Sequence, residues 1–247
     1  VVWDRATGQP VGPGLGWQDL RTVVDCLILA GESLRVAPNL VATKAAHLIK
    51  EADPDGTRDL CVGTVDSWVA WTLTEGAVHV TDPSNAALYG MLTGDQSQWD
   101  ERVLDLLHVP LASMPTVVDS VGVIGSASAL PGAPPLTGIL GDQQASLLGQ
   151  GCVRPGQAKI TFGTGGMLDL CLDDRPRFET QGTGGTFPIV TRSVDGVRVY
   201  QLTPPNVTTA TLPAAFRAAL PPAWVPVVRD TLRAYRAWFE RTYELPG

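Results

Sequence analysis

The chain has 247 residues, 44% hydrophobic and 17% charged, which is enough apolar material to bury a core and excludes a disordered or fibrous protein. With 18 basic against 25 acidic side chains the formal charge is −7, which argues against a broad electropositive surface for nucleic acid or anionic lipid and leaves small molecules as the better partners. The 26 glycines and 20 prolines follow no repeat period and mark a loop-rich chain.

Strand, turn, strand is predicted at the start: Val1-Val2-Trp3, a Gly/Pro-rich turn from Thr7 to Gly14, then Leu15-Gly16-Trp17. Apolar residues at helical spacing predict helices from Thr22 to Ala30 and from Asn39 to Ala52, and Asp66 or Ser67 is placed to start a third around Trp68 to Leu73. A short strand at Val78-His79-Val80, a turn at Asp82 to Asn85 and a helix from Asp100 to Leu107 follow. Residues 110–137 are rich in Pro, Gly and Ser and read as a crossing of the surface. Pro135 to Leu140 reads as a buried strand, Gln143 to Gly149 as a helix, and Arg154-Pro155-Gly156 as a turn and domain boundary. Ala158 to Phe162 and Met167 to Leu172 form a hairpin around Gly163-Thr164-Gly165-Gly166, and Val197 to Leu202 is a further strand. Beyond it, Val228, Leu232, Tyr235, Trp238, Phe239 and Tyr243 could share one face of a tail helix.

Cys26, Cys61, Cys152 and Cys171 form no C-x-x-C pair and read as buried thiols. No stretch approaches the roughly 20 apolar residues of a spanning helix, and the first residues lack a signal-peptide layout, so the cytoplasm and no membrane partner are expected. His47, His79 and His108 are isolated and read as surface or core residues; no metal-ligand spacing and no G-x-S-x-G elbow occur.

Two places can carry chemistry. Asp142, in Gly141-Asp142-Gln143-Gln144, sits where a strand ends and a helix begins, the position at which open α/β sheets place ligands. The helix N-terminus favours its ionised form, which can take a hydroxyl proton; the competing reading is a simple helix cap. Gly163-Thr164-Gly165-Gly166 could turn backbone N–H groups and a hydroxyl toward a phosphate, or be only a β-turn. Trp17, between glycines and Gln18-Asp19, could line a small-molecule cleft.

Taken in order, these words resemble the FGGY family of carbohydrate kinases, and within it the glycerol-phosphorylating branch. They are Val1-Val2-Trp3-Asp4, Trp17-Gln18-Asp19 with Arg21-Thr22, Thr43-Lys44, Gly63 to Trp68, His79 to Asp82 with Asn85-Ala86, Trp99-Asp100, Gly141 to Gln144, and Lys159 to Gly165. The resemblance implies an α/β, actin-like (ribonuclease H-like) fold and ATP-dependent phosphorylation, with Mg²⁺, of a polyol or sugar hydroxyl. By that similarity Asp142 is the general base, Gln143 a substrate contact, Trp17 a wall of the substrate pocket, and Gly163, Thr164 and Gly165 a contact to ATP phosphates. Such a reaction is run mostly by positioning and charge neutralisation, so a modest carboxylate base and backbone amides suffice.

Two departures concern the substrate. Asn39 follows Pro38 where the branch carries a pocket Tyr, and Ala87-Leu88-Tyr89 replaces Ser-Arg-Thr, so a ketopentose is an alternative to glycerol. The resemblance divides the chain into residues 1–154, an incomplete N-terminal kinase domain; 155–202, the start of the C-terminal one; and 203–247, an unmatched tail. It implies that a phosphate-binding hairpin and an Arg-Glu substrate clamp precede Val1 in the family. The chain alone is therefore expected to be a partial and inactive copy, with a binding or interaction module as the second reading; self-association is left open.

Overall fold

The computed structural model describes residues 1–34, 36–162, 166–174 and 187–203, with the single residues 222, 226 and 230. Two compact units divide the chain: Val1–Gly141 with Arg192–Gly196, and Asp142–Thr191 with Val197–Gly247.

In the first unit, β1 (Val2–Asp4) and β2 (Leu60–Val62) pair antiparallel, Val2 opposite Val62 and Asp4 opposite Leu60. The return strand expected at Leu15 to Trp17 does not form. The turn after β1 closes on an isolated bridge between Trp3 and Pro10, made by the Asp4 amide on the Gln9 carbonyl and the Val11 amide on the Val2 carbonyl, and β1 takes its ladder partner from far along the chain. Helices α1 (Val23–Gly31) and α2 (Ala42–Ala52) lie where apolar spacing predicts them. On α2 the buried residues Ala42, Ala45, Leu48 and Ile49 recur at steps of three and four and pack with Val2, Leu60 and Val62. Each fully buried Leu or Ile here stabilises the unit by roughly 2 kcal/mol. Helix α3 (Val65–Leu73) starts just before the expected residues, with Thr64 extended at its N-cap. A Cβ on Gly63 would lie 2.7 Å from the Trp3 ring and 2.8 Å from Ser67, so only glycine lets β2 run into α3 there.

Strands β3 (Val80–Thr81) and β4 (Thr116–Val117) pair in parallel. The turn expected at 82–85 is a single helical turn, α4 (Pro83–Ala86): Asp82 caps it from extended backbone and Pro83 is preset for the first helical position. Helix α5 (Glu101–Leu107) is capped by Asp100, which accepts from the Arg102 and Val103 amides. The segment read as a loop over 110–137 carries β4, β5 (Val121–Ser126) and the start of β6 (Pro135–Gly138), with β5 and β6 antiparallel. This ribbon is largely exposed, so no alternation of burial announces it. The buried strand expected over 135–140 is correspondingly an exposed one, and Ile139 just after it is the residue that enters the core, beside Ala70 and Val80.

The second unit opens with α6 (Asp142–Gly149), whose Leu147 packs on Cys152 and Cys171. Strands β7 (Ala158–Phe162), β8 (Gly166–Cys171), β9 (Phe187–Val194) and β10 (Val197–Thr203) form one sheet in the order β7-β8-β10-β9. Strand β9 has no counterpart in the sequence expectations, and the end of it belongs to the first unit. The expected tail helix and the glycines 182–185 lie outside the described residues. All four cysteines are buried free thiols. No helix among the described residues is long and apolar enough to cross a membrane.

Candidate functional site

Asp142 is the first residue of α6; its carboxylate is exposed and Oδ1 accepts from the Gln143 amide at 2.8 Å. Gln143 is half-buried beside it. The preceding residue, Gly141, is buried, and its amide donates to Ser84 Oγ at 3.0 Å. Ser84 in turn donates to Asp82 Oδ1 at 2.7 Å, and Asp82 is wholly buried. The same Oδ1 accepts from the Asn85 amide and side chain, while Oδ2 accepts from Ser120 Oγ at 2.6 Å.

Trp17 and Asn39 both lie in the first unit. Trp17 is 70% exposed, unlike the core residues Trp3 and Trp71, and Asn39 sits on an exposed turn. Helix α2 begins shortly after Asn39. Lys44 there is buried, and its ammonium donates to the Pro38 carbonyl next to Asn39. Burial pushes Lys44 below the usual lysine range, and the nearby charge of Asp19, two residues after Trp17, opposes that shift. Arg21 beside Asp19 holds that carboxyl below the usual carboxylate range. Thr43 Oγ1 lies 2.8 Å from Thr22 Oγ1, which ties α2 to the residue before α1.

Tyr89, at the family departure, is a core residue. Its hydroxyl accepts from the Thr64 amide at 3.0 Å, and burial pushes it up to about 12. Asp66, bonded to Thr64 and Thr81, is raised by burial as well.

In the second unit Gly163, Thr164 and Gly165 lie outside the described residues; the strands that flank them are described. β7 and β8 pair in register from Ala158 opposite Leu170 to Phe162 opposite Gly166, which leaves a three-residue connection. Directly opposed on these strands, Lys159 and Asp169 form a buried ion pair at 3.1 Å. Lys159 also donates to Thr161 Oγ1 at 2.9 Å, and Gln201 on β10 donates to Asp169 Oδ1 at 2.9 Å.

Asp142 and Gln143 thus stand together in the second unit, while Trp17 and Asn39 lie in the first, where Lys44 bonds the Pro38 carbonyl beside Asn39 and feels the charge of Asp19. Sequence reasoning did not single out Asp82, Ser84, Ser120 or the Lys159–Asp169 pair. The available signals were Asp82 before a proline, which marks a cap, and a lysine and an aspartate equidistant from a glycine turn. Among the described residues no group of three or more His, Cys, Asp or Glu side chains could hold a metal ion.

Comparison with known proteins agrees with this architecture. The mixed α/β chain has the actin-like fold of sugar kinases. It superposes on a Plasmodium falciparum glycerol kinase crystallised with ADP, with a TM-score of 0.72 at 23% identity, covering 83% of this chain and 44% of that one. A xylulose kinase from Rhodospirillum rubrum gives a TM-score of 0.59 at 21% identity over 75% and 39%. The family model of the FGGY carbohydrate kinases, N-terminal domain, matches residues 1–149, and the chain belongs to that family. A glycerol kinase of Aromatoleum aromaticum is 42% identical over 184 residues, 68% of this chain and 37% of that protein. One from Thermus brockianus is 38% identical over 218 residues, 82% and 43%. The chain thus spans about two-fifths of the length of the curated relatives it matches.

Proposed function

We propose that the chain serves ATP-dependent phosphoryl transfer to a hydroxyl of a small polyol or sugar, with glycerol to glycerol 3-phosphate as the leading reaction. The observation that carries this reading is Asp142: an exposed carboxylate at the first position of a helix, following a backbone amide anchored from inside the first unit. In this role Asp142 takes the proton of the attacking hydroxyl, and Gln143 hydrogen-bonds a neighbouring hydroxyl of the same substrate. Trp17 offers an apolar wall to the carbon skeleton, and Asn39 stands where it can select among polyols. Gly163, Thr164 and Gly165, small residues with one hydroxyl, are taken from the family resemblance as the contact to ATP phosphate oxygens. ATP bound there supplies the phosphoryl group, and Mg²⁺ on its phosphates neutralises charge.

The test is a coupled ADP-release assay on this chain with glycerol, xylulose, ribulose and erythritol as acceptors. Asp142→Asn is expected to lower turnover about 10²- to 10⁴-fold, the usual worth of a positioned general base. Turnover that survives the substitution would overturn the assignment. Absence of turnover with every acceptor, alongside measurable binding of polyol or nucleotide by calorimetry, would favour the binding-module reading.

A further inference from the structure

We propose that Asp82 and Ser84 are positioning residues that fix the backbone from which Asp142 projects, and that they act through the hydrogen bond from the Gly141 amide to Ser84 Oγ. The proposal rests on the reading of Asp142 as the base. Asp82 is wholly buried, and no cation lies within ion-pair distance of it among the described residues. Desolvating a carboxylate costs several kcal/mol, and capping the single turn of α4 needs only one of its oxygens. Here Oδ1 accepts from Ser84 Oγ as well as from Asn85, and Oδ2 accepts from Ser120 Oγ.

Each serine is oriented by this bond. With its hydrogen committed to Asp82, the Ser84 hydroxyl presents a lone pair to the Gly141 amide at 3.0 Å. Ser120 does the same for the Ser193 amide at 2.9 Å. One buried carboxyl group therefore aligns two hydroxyl acceptors, and each holds a backbone amide far away in sequence. Only the Ser84 arm ends on the residue before Asp142. Positioning of a base to within a fraction of an ångström is worth an order of magnitude or more in rate, so this arm bears on turnover and not only on folding.

Amide hydrogen exchange on the full chain, measured beside turnover, tests this. In Ser84→Ala the Gly141 amide should exchange about tenfold faster, the loss of one hydrogen bond, with the Ser193 amide within about twofold of its native rate. Turnover should fall about tenfold in kcat with KM for the polyol nearly unchanged, and Ser84→Thr, which keeps the hydroxyl, should restore both. Asp82→Asn turns an amide donor toward donors and should loosen Gly141 and Ser193 together; if that variant does not fold, the Ser84 pair still decides. Unchanged Gly141 exchange in Ser84→Ala, equal loosening of both amides, or no rescue by threonine would overturn the proposal. Turnover that survives Asp142→Asn while the exchange pattern appears as expected would overturn the base assignment and support the anchor.

Discussion

Asp82 in the first unit and Asp169 in the second are both fully buried, yet Asp82 is surrounded by neutral donors and Asp169 faces a cation. Lys159 neutralises Asp169 across two adjacent strands, so that charge is spent on joining β7 to β8 close to the glycine turn. Among the described residues Asp82 has hydroxyl and amide donors, which are directional, and two of those hydroxyls pass the constraint on to backbone amides. A buried carboxylate can thus act as one half of a clamp or as the hub of a geometry. The difference predicts different responses when each is broken.

The largest effect is expected at the ion pair. Lys159→Met removes the cation from the buried ion pair, which should cost about 3–5 kcal/mol in urea unfolding. Removing both charges in Lys159→Met/Asp169→Leu should recover most of that loss, because the penalty lies in the unmatched charge. Failure of the double substitution to recover would show that the carboxylate is held by its hydrogen bonds, as Asp82 is. At Asp82 the expected loss is smaller, about 2–3 kcal/mol for Asp82→Asn, from buried hydroxyls and an amide left facing a donor. Among the described residues no partner cation stands there whose removal could restore it, so the same unfolding measurements on the two sites separate clamp from hub.

The sequence revealed these two networks unequally. Helices α1, α2, α3, α5 and α6 are legible from apolar residues near helical spacing and polar residues at their starts, although α3 begins at Val65, ahead of the Asp66 or Ser67 expected to start it. The β5–β6 ribbon is not, since Val121 and Val123 face solvent and only a few of its residues, Ile124 and Leu136 among them, are half-buried, so no alternation of apolar and polar residues marks the strands. The return strand at Leu15 to Trp17 was misread because a Gly/Pro turn suggests a local hairpin, whereas β1 pairs with a strand beyond α2. Lys159 and Asp169 straddle one glycine turn, and hairpin register alone places them opposite each other. Ser84 and Gly141 meet only through the tertiary fold, and no local pattern carries that contact. Asp142 was legible as a strand-to-helix carboxylate; what anchors it was not.

His79 sharpens the comparison from a third side, as a buried ionisable group that stays neutral. It packs edge-on against Trp3 at 5.0 Å, and its Nε2 donates to the Val62 carbonyl at 2.9 Å. Burial pushes it down to about 4, with the charge of Arg5 adding in the same direction. An unfolded chain takes up this proton near the ordinary value of 6.5, whereas the folded chain does not until pH falls to about 4, so between those values the unfolded state binds more protons. The stability contributed by the neutral ring is complete above pH 6.5 and is lost progressively as pH falls toward 4. At pH 5 the loss from this one group is about 2 kcal/mol. His79→Gln keeps an amide donor for the Val62 carbonyl and removes the titration. Urea midpoints at pH 7.5 and 5.0 should therefore move less in the variant than in the native chain. The carboxylates titrate in both proteins and cancel in the difference. Equal movement would mean that the imidazole takes its proton in the fold as readily as in water, and that its burial against Trp3 costs the charged form nothing.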